Sequence, residues 1–337
     1  MNLFKKVLRF STVFITFYLA VSLADIDDDT VTFYVVPGLN LPVFNATHDE
    51  DLSSRGCNPS GKFSIIVHGW LESFNTEWVQ DLISNLTEYR GGCIIVMDYS
   101  NYSVNLNYFL LTPHFANLSD MLLRFMVKME DEGFDFGKGF MFGFSFGAQL
   151  AITTATKFGT KRFKEIDAGP GFEHLPMSDA SLAAENVQCI HTSNTYGTMK
   201  RNCTQNWNMG YCGWSQVGAM PFPKGSHGLC PIFYNVAFQH TFLAWENVYN
   251  CPSKRAAGTY PEEFKMGYME GRKSKVAGDL FSPTSVGWPF NRISGRQEND
   301  DTFIHIQEAE KMELSLLHDA SNYIQKLEIK SSELSSN

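Results

Sequence analysis

The chain has 337 residues, 44% of them hydrophobic, with 27 Lys and Arg against 36 Asp and Glu and a formal charge of −9. That length and apolar content support a large core, in one big domain or two small ones. The acidic balance and the lack of any basic run argue against nucleic acid as a partner.

Residues 1–24 carry Lys5, Lys6 and Arg9, then an apolar run from Phe10, and end in small residues at Ser22 and Ala24 before an acidic stretch. This is the layout of a secretory signal peptide, and the apolar run is short for a spanning helix. No later segment is apolar enough over sufficient length to span a bilayer, so the expectation is a secreted, extracellular protein. Residues 25–59 read as an N-terminal extension, 60–295 as the main domain and 296–337 as a helical tail. Secretion bears on the cysteines. Of the seven (Cys57, Cys93, Cys189, Cys203, Cys212, Cys230, Cys251), most should pair in an oxidising compartment, in a connectivity that spacing does not fix. None forms a C-x-x-C, so no metal site or cofactor is expected. N-x-[ST] sequons at Asn45, Asn85, Asn101, Asn117 and Asn202 fit a glycosylated surface.

From Phe63 the chain alternates. The runs FSIIV (63–67) and CIIVM (93–97) are short, β-branched and bounded by glycine nearby, as buried parallel strands are. Between them, residues 75–90 place Trp78, Leu82, Ile83 and Leu86 at helical spacing. A second amphipathic helix spans 118–133. The strand 139–143, the helical 147–159, and strands at 163–168 and 186–193 follow. This rhythm predicts an α/β fold, a mostly parallel sheet with helices on both faces. Residues 194–239 are rich in Gly, Asn, Trp and Cys and read as a long disulfide-tied loop region, and 303–329 as a loosely packed amphipathic helix.

At the end of the strand 139–143 the sequence runs GFSFG. A serine held between two glycines, where a strand turns sharply into a helix, has its hydroxyl lifted out of the sheet. The flanking glycines, Gly143 and Gly147, are there because larger side chains would clash. The amide of Phe146, at the helix start, can hold a negative oxygen. Ser145 is therefore the candidate nucleophile, against the plainer reading of a buried, bonded serine. A serine needs a histidine oriented by a carboxylate. Asp167, read as the end of the strand 163–168, is the candidate acid. The histidines downstream are His174, His191, His227, His240, His305 and His318, and spacing does not choose among them.

The stretches IIVHGW, CIIVMDYS, GFSFGA, EIDAGPGF, CIHTS and FQHTF follow one another as in the pancreatic (animal neutral) lipase family, over about residues 60–250. The chain resembles the single-domain secreted members, including insect lipase-like and phospholipase A1-type proteins. The resemblance implies an α/β-hydrolase fold without the C-terminal β-sandwich and a triad of Ser145, Asp167 and His240. It also implies a second oxyanion amide from Trp70, with His68 a structural hydrogen-bonder beside it. Three departures stand out: Phe144-Ser145-Phe146 where the family has His-Ser-Leu, Gln149 where histidine is common, and no proline directly after the acid. Between Cys230 and His240 there is no length for the family's lid, so the expected site is open, and Cys230 needs a partner other than the family's.

These readings imply a lipid ester hydrolase (lipase or phospholipase A1-like) making transient lipid-surface contact. The alternative is a catalytically weak lipid carrier or yolk-type storage protein on the same fold. Trp207, Tyr211, Trp214, Phe222, Phe233, Tyr234 and Phe238 are candidates for the rim of an acyl-chain groove.

Overall fold

The computed structural model describes residues 30–38, 42–46, 51–172, 175, 178–221, 223–247, 249–253, 255–291, 310–312 and 315. The expected signal peptide lies outside them, as do most of the expected tail helix, Phe222 and His174, His305 and His318. Nine strands form one sheet: β1 (Thr32–Val36), β2 (Phe44–Ala46), β3 (Phe63–Val67), β4 (Cys93–Asp98), β5 (Gly139–Ser145), β6 (Phe163–Pro170), β7 (Ala184–His191), β8 (Gln205–Met209) and β9 (Gly278–Ser282). Their spatial order is β2-β1-β4-β3-β5-β6-β7-β8-β9. Every pairing from β4 to β9 is parallel, and β1 runs antiparallel to both β2 and β4. This is the α/β-hydrolase fold.

The residues that make central strands explain their burial. All five positions of β3 and all six of β4 are buried, because helices cover both faces. On one face lie α2 (Phe115–Asp131) and α3 (Phe146–Phe158), packed through Leu118, Leu122, Phe125 and Ile152 on Phe33, Ile65, Met97 and Met141. On the other lie α1 (Glu77–Tyr89) and α4 (Leu229–Val236), with Trp78, Leu82, Leu86, Phe233 and Tyr234 on Ile66, Val96, Phe140 and Phe142. The apolar stripe of α1 recurs every three to four residues, as its buried face requires.

Three expectations need correction. Residues 25–59 are not a mere extension, since they supply β1 and β2. Residues 194–239 are not all loop, since they contain β8 and α4. Cys230 has no partner: the disulfides join Cys57 to Cys93, Cys189 to Cys203 and Cys212 to Cys251, and Cys230 is a buried free thiol. Among the sequons, Asn45 and Asn101 are exposed and Asn117 and Asn202 half-buried. The side-chain nitrogen of Asn85, which a glycan would take, donates to Asn235 Oδ1 at 3.0 Å. No helix among the described residues is long and apolar enough to cross a membrane.

Candidate active site

Ser145 is the last residue of β5 and the N-cap of α3. Its backbone sits at φ 56°, ψ −124°, a conformation that costs a non-glycine residue about 1–3 kcal/mol and persists only where the surroundings impose it. The glycines beside it impose it. A Cβ at Gly147 would lie 2.1 Å from the His68 carbonyl oxygen and 2.4 Å from that of Val67, so α3 starts pressed against the end of β3. A Cβ at Gly143 would lie 2.6 Å from the Gly147 carbonyl oxygen. The turn leaves Ser145 with no side-chain hydrogen bond to the described residues, lining a crevice beside Trp70, Glu72, Tyr108, Phe172, Lys224 and His227.

Two amides are free for a developing anion. Phe146 N is the first of α3, where no preceding turn offers a carbonyl. The amides around Trp70 are occupied, Gly69 N by Glu72 Oε2 at 2.8 Å and Leu71 N by Ser103 O at 2.8 Å, while Trp70 N has no partner among the described residues. Beneath this loop His68 stacks on Tyr99, with Nδ1 3.0 Å from Gly69 O and Nε2 3.3 Å from Asp98 Oδ1. Burial raises the Asp98 carboxyl, but the bond and charge of His68, with the Phe74 and Ser100 amides, outweigh it and bring it to about 2. His68 is thus spoken for structurally. Gln149 donates to the carbonyls of Gly171 at 3.1 Å and Phe172 at 2.6 Å, pinning one wall of the crevice.

The structure does not bring Asp167 and His240 to Ser145. Strand β6 runs on to Pro170, and the register sets Pro170 opposite Ser145 and Asp167 opposite Phe142. Asp167 therefore lies three residues, roughly 10 Å, short of the nucleophile along the strand. Its carboxylate is fully buried: Tyr234 donates to Oδ2 at 2.6 Å and Lys273 Nζ stands 3.6 Å away, itself paired with Glu165. His240 is half-buried, with its ring edge-on to the exposed Trp288, centroids 4.7 Å apart, and no hydrogen bond to Ser145 or Asp167. Of the expected groove aromatics, Trp207, Phe233, Tyr234 and Phe238 are core residues, and none of the six that are described lines the crevice.

Among the described residues, the histidine that lines the crevice is His227, on the loop that leads into α4. Its ring lies over Phe144, centroids 4.6 Å apart, its carbonyl accepts from Thr192 Oγ1 at 3.3 Å, and its Nε2 has no hydrogen-bond partner among the described residues. No carboxylate among the described residues bonds its ring. The signal for it in the sequence was its place just ahead of an apolar helical run, GLCPIFYNV, where side chains of a loop–helix junction meet the ends of the strands. Pro223, Lys224 and Gly228 also line the crevice, whose volume is about 30 Å³, where a single water needs roughly 10–15 Å³.

Asp167 offers a test of its structural role. Burial pushes its carboxyl up to about 7, opposed by the Tyr234 hydroxyl and the Gln188 amide. Between about pH 4 and 7 the folded protein then holds a proton that the unfolded chain has released. The stability this carboxyl contributes is complete below about pH 4 and is lost as pH rises through 7. In Asp167→Asn that decline should flatten, by a few degrees of Tm between pH 5 and 7 in thermal scans, with hydrolysis changed less than threefold. Parallel pH slopes for variant and wild type would refute it.

No protein-family model matches the chain. Over 152 residues it is 26% identical to zebrafish (Danio rerio) Lipase member H, covering 43% of this chain and 34% of that protein, so it spans about a third of the length of this curated relative. Solved structures that it resembles include esterase PE8 (14% identity, 50% of this chain and 79% of that one, TM-score 0.35). The poly(3-hydroxybutyrate) depolymerase LpqC of Bordetella parapertussis is another (15% identity, 49% and 62%, TM-score 0.32). A third is the phospholipase/carboxylesterase of Dyadobacter fermentans (16%, 39% and 65%, TM-score 0.28). Sheet order and the strained serine at the β5–α3 junction give this chain the α/β-hydrolase fold, and its likeness to a lipase covers part of its length.

Proposed function

We propose that the protein is a secreted serine hydrolase of lipid carboxylic esters, a divergent relative of the pancreatic lipase family, working through Ser145 and His227. The observation that carries this reading is the Ser145 hydroxyl, at a strained turn and lining the same crevice as His227, its one described histidine. Ser145 Oγ attacks the ester carbonyl while His227 takes its proton. The amides of Trp70 and Phe146 hold the tetrahedral oxyanion, and His227 returns the proton to the leaving alcohol. Water, deprotonated by the same imidazole, then frees the acyl group. The three disulfides support secretion. The aromatic walls, Trp70, Tyr108, Phe172 and Tyr196, support an apolar acyl group over a charged one. In so narrow a crevice the wall at Pro223 and Lys224 has to shift before such a group enters.

A second reading, a non-catalytic lipid carrier on the same fold, is favoured by the lack of a carboxylate on His227. A fluorophosphonate probe separates the two. Labelling of the folded protein that maps by mass spectrometry to the Ser145 peptide supports the hydrolase, whereas an unlabelled folded protein that binds fatty acid supports the carrier. A panel of phospholipid, triacylglycerol and short p-nitrophenyl esters then sorts the substrate class.

A further inference from the structure

One buried carboxylate in the crevice has no part in proton transfer. Glu72 is 2% exposed, and its two oxygens are fully engaged. Oε2 accepts from Gly69 N at 2.8 Å, and Oε1 accepts from Trp78 Nε1 at 2.8 Å and from Lys224 Nζ at 3.1 Å. Gly69 immediately precedes Trp70, whose amide faces the crevice. Lys224 lies three residues before His227, on the same loop. Glu72 thus bonds both the oxyanion loop and the loop that carries the histidine.

Its position also has an electrostatic consequence. A Cβ built on Gly69 would lie 2.9 Å from Ser145 Cβ and 3.1 Å from Glu72 Oε2, so the two side chains stand within about 6 Å of each other. A bare carboxylate at that range opposes an oxyanion forming on Ser145. With an effective dielectric of about 20, the effect is roughly a hundredfold in rate. Lys224 is the cation that offsets it, and its side chain is one-third exposed, so the pair is partly screened.

We propose that Glu72 is a positioning residue that holds the oxyanion amide of Trp70 and the His227 loop in one register, and that Lys224 makes this carboxylate compatible with catalysis. The inference rests on the Ser145–His227 reading. In a scaffold built only for stability, the natural occupant of such a spot is an apolar side chain, since a buried ion pair gains little over one. A carboxylate that bonds one loop through its backbone and the other through an ammonium instead does what packing does not: it couples two loops that meet only at the nucleophile.

The test is a charge cycle. Lys224→Met leaves Glu72 uncompensated and should lower kcat, and the rate of fluorophosphonate labelling, at least tenfold with KM within twofold. Lys224→Arg should stay within threefold of wild type. Glu72→Gln combined with Lys224→Met removes both charges and should recover most of the loss, which a merely loosened loop would not. An undiminished rate in Lys224→Met, or no recovery in the double variant, overturns the inference while the hydrolase reading stands. Hydrogen exchange gives a readout independent of activity. In Glu72→Ala, or in Lys224→Met should the former not fold, exchange at 221–228 should quicken, with 68–72 following in Glu72→Ala. An unchanged 221–228 segment overturns the inference even if the wild type proves inactive.

Discussion

Replacing His227 by alanine lowers ester hydrolysis about a hundredfold, and replacing His240 by alanine leaves it within twofold. The size follows from how triad residues combine. In a complete triad, loss of the serine or the histidine removes roughly 10⁶ in kcat, and loss of the acid alone roughly 10⁴. These effects overlap, so a histidine that already lacks its carboxylate has only about 10² left to lose. Ser145→Ala should fall to the same floor, and the double variant no further. Burial alone brings the His227 imidazole down to about 3, so it stays neutral where an ordinary histidine charges. The acid limb of kcat/KM, set by the free enzyme's base, should therefore lie below about pH 5 instead of near 6.5. A limb at 6.5 that survives in His240→Ala but not in His227→Ala would keep the base and discard its desolvation; a loss confined to His240→Ala would discard the site.

The low basicity has a price in rate. A neutral imidazole with little proton affinity is a weak acceptor, so the wild type should turn over slowly compared with a complete triad. Two of the departures from the pancreatic lipase pattern agree with this. Phe144, where the family has histidine, now carries the ring on which His227 lies, and Gln149 now pins the 171–172 wall. Both exchanges put a group that cannot titrate where a histidine is common, the direction that burial of His227 also takes.

How much of this was legible beforehand divides along physical lines. β3, β4 and α1 could be read because their burial writes a short-range pattern, continuous in a central strand and every three to four residues in a helix. The elbow could be read because glycines at 143 and 147 answer a clash that any larger residue would suffer. The acid could not, since it depended on where one strand ended. An end at Ala168 would have put Asp167 at the rim of the sheet, and the two further residues to Pro170 bury it mid-strand against Tyr234 and Lys273. The histidine of the crevice was hidden for a different reason. Residues 210–228 have no periodicity, their course is set by the Cys212–Cys251 bond and by hydrogen bonds such as that of Gln216 N to Ser226 Oγ, and none of this is local in sequence. Strands β1 and β2 were missed because each is short, five and three residues, and pairs antiparallel outside the strand–helix rhythm that marks the rest of the sheet.

Returning a carboxylate to His227 should raise kcat by tenfold or more. Gly169 is the place for it. It lies opposite Phe144 in the β5–β6 register, two residues beyond Asp167 and so on the same face of the strand, toward α4. A Cβ there would approach Phe144 to 3.0 Å and Cys230 Sγ to 2.3 Å. Phe144 is the ring beneath His227, and Cys230 N bonds the His227 carbonyl at 3.1 Å, so the position borders the histidine from both sides. The thiol now fills the space that a side chain would need, which explains why Cys230 is free, fully buried and chemically quiet, its thiol pushed up by burial. Gly169→Asp alone should clash and unfold at lower temperature. Joined with Cys230→Ala, the carboxylate has room, and an aspartate on imidazole fixes its tautomer and stabilises the imidazolium that forms, an effect worth up to about 10⁴ where geometry is right. The acid limb of the pH profile should move upward at the same time, because a neighbouring negative charge favours the protonated ring. A folded double variant with unchanged kcat and an unmoved limb would mean that the ring of His227 does not accept the Ser145 proton.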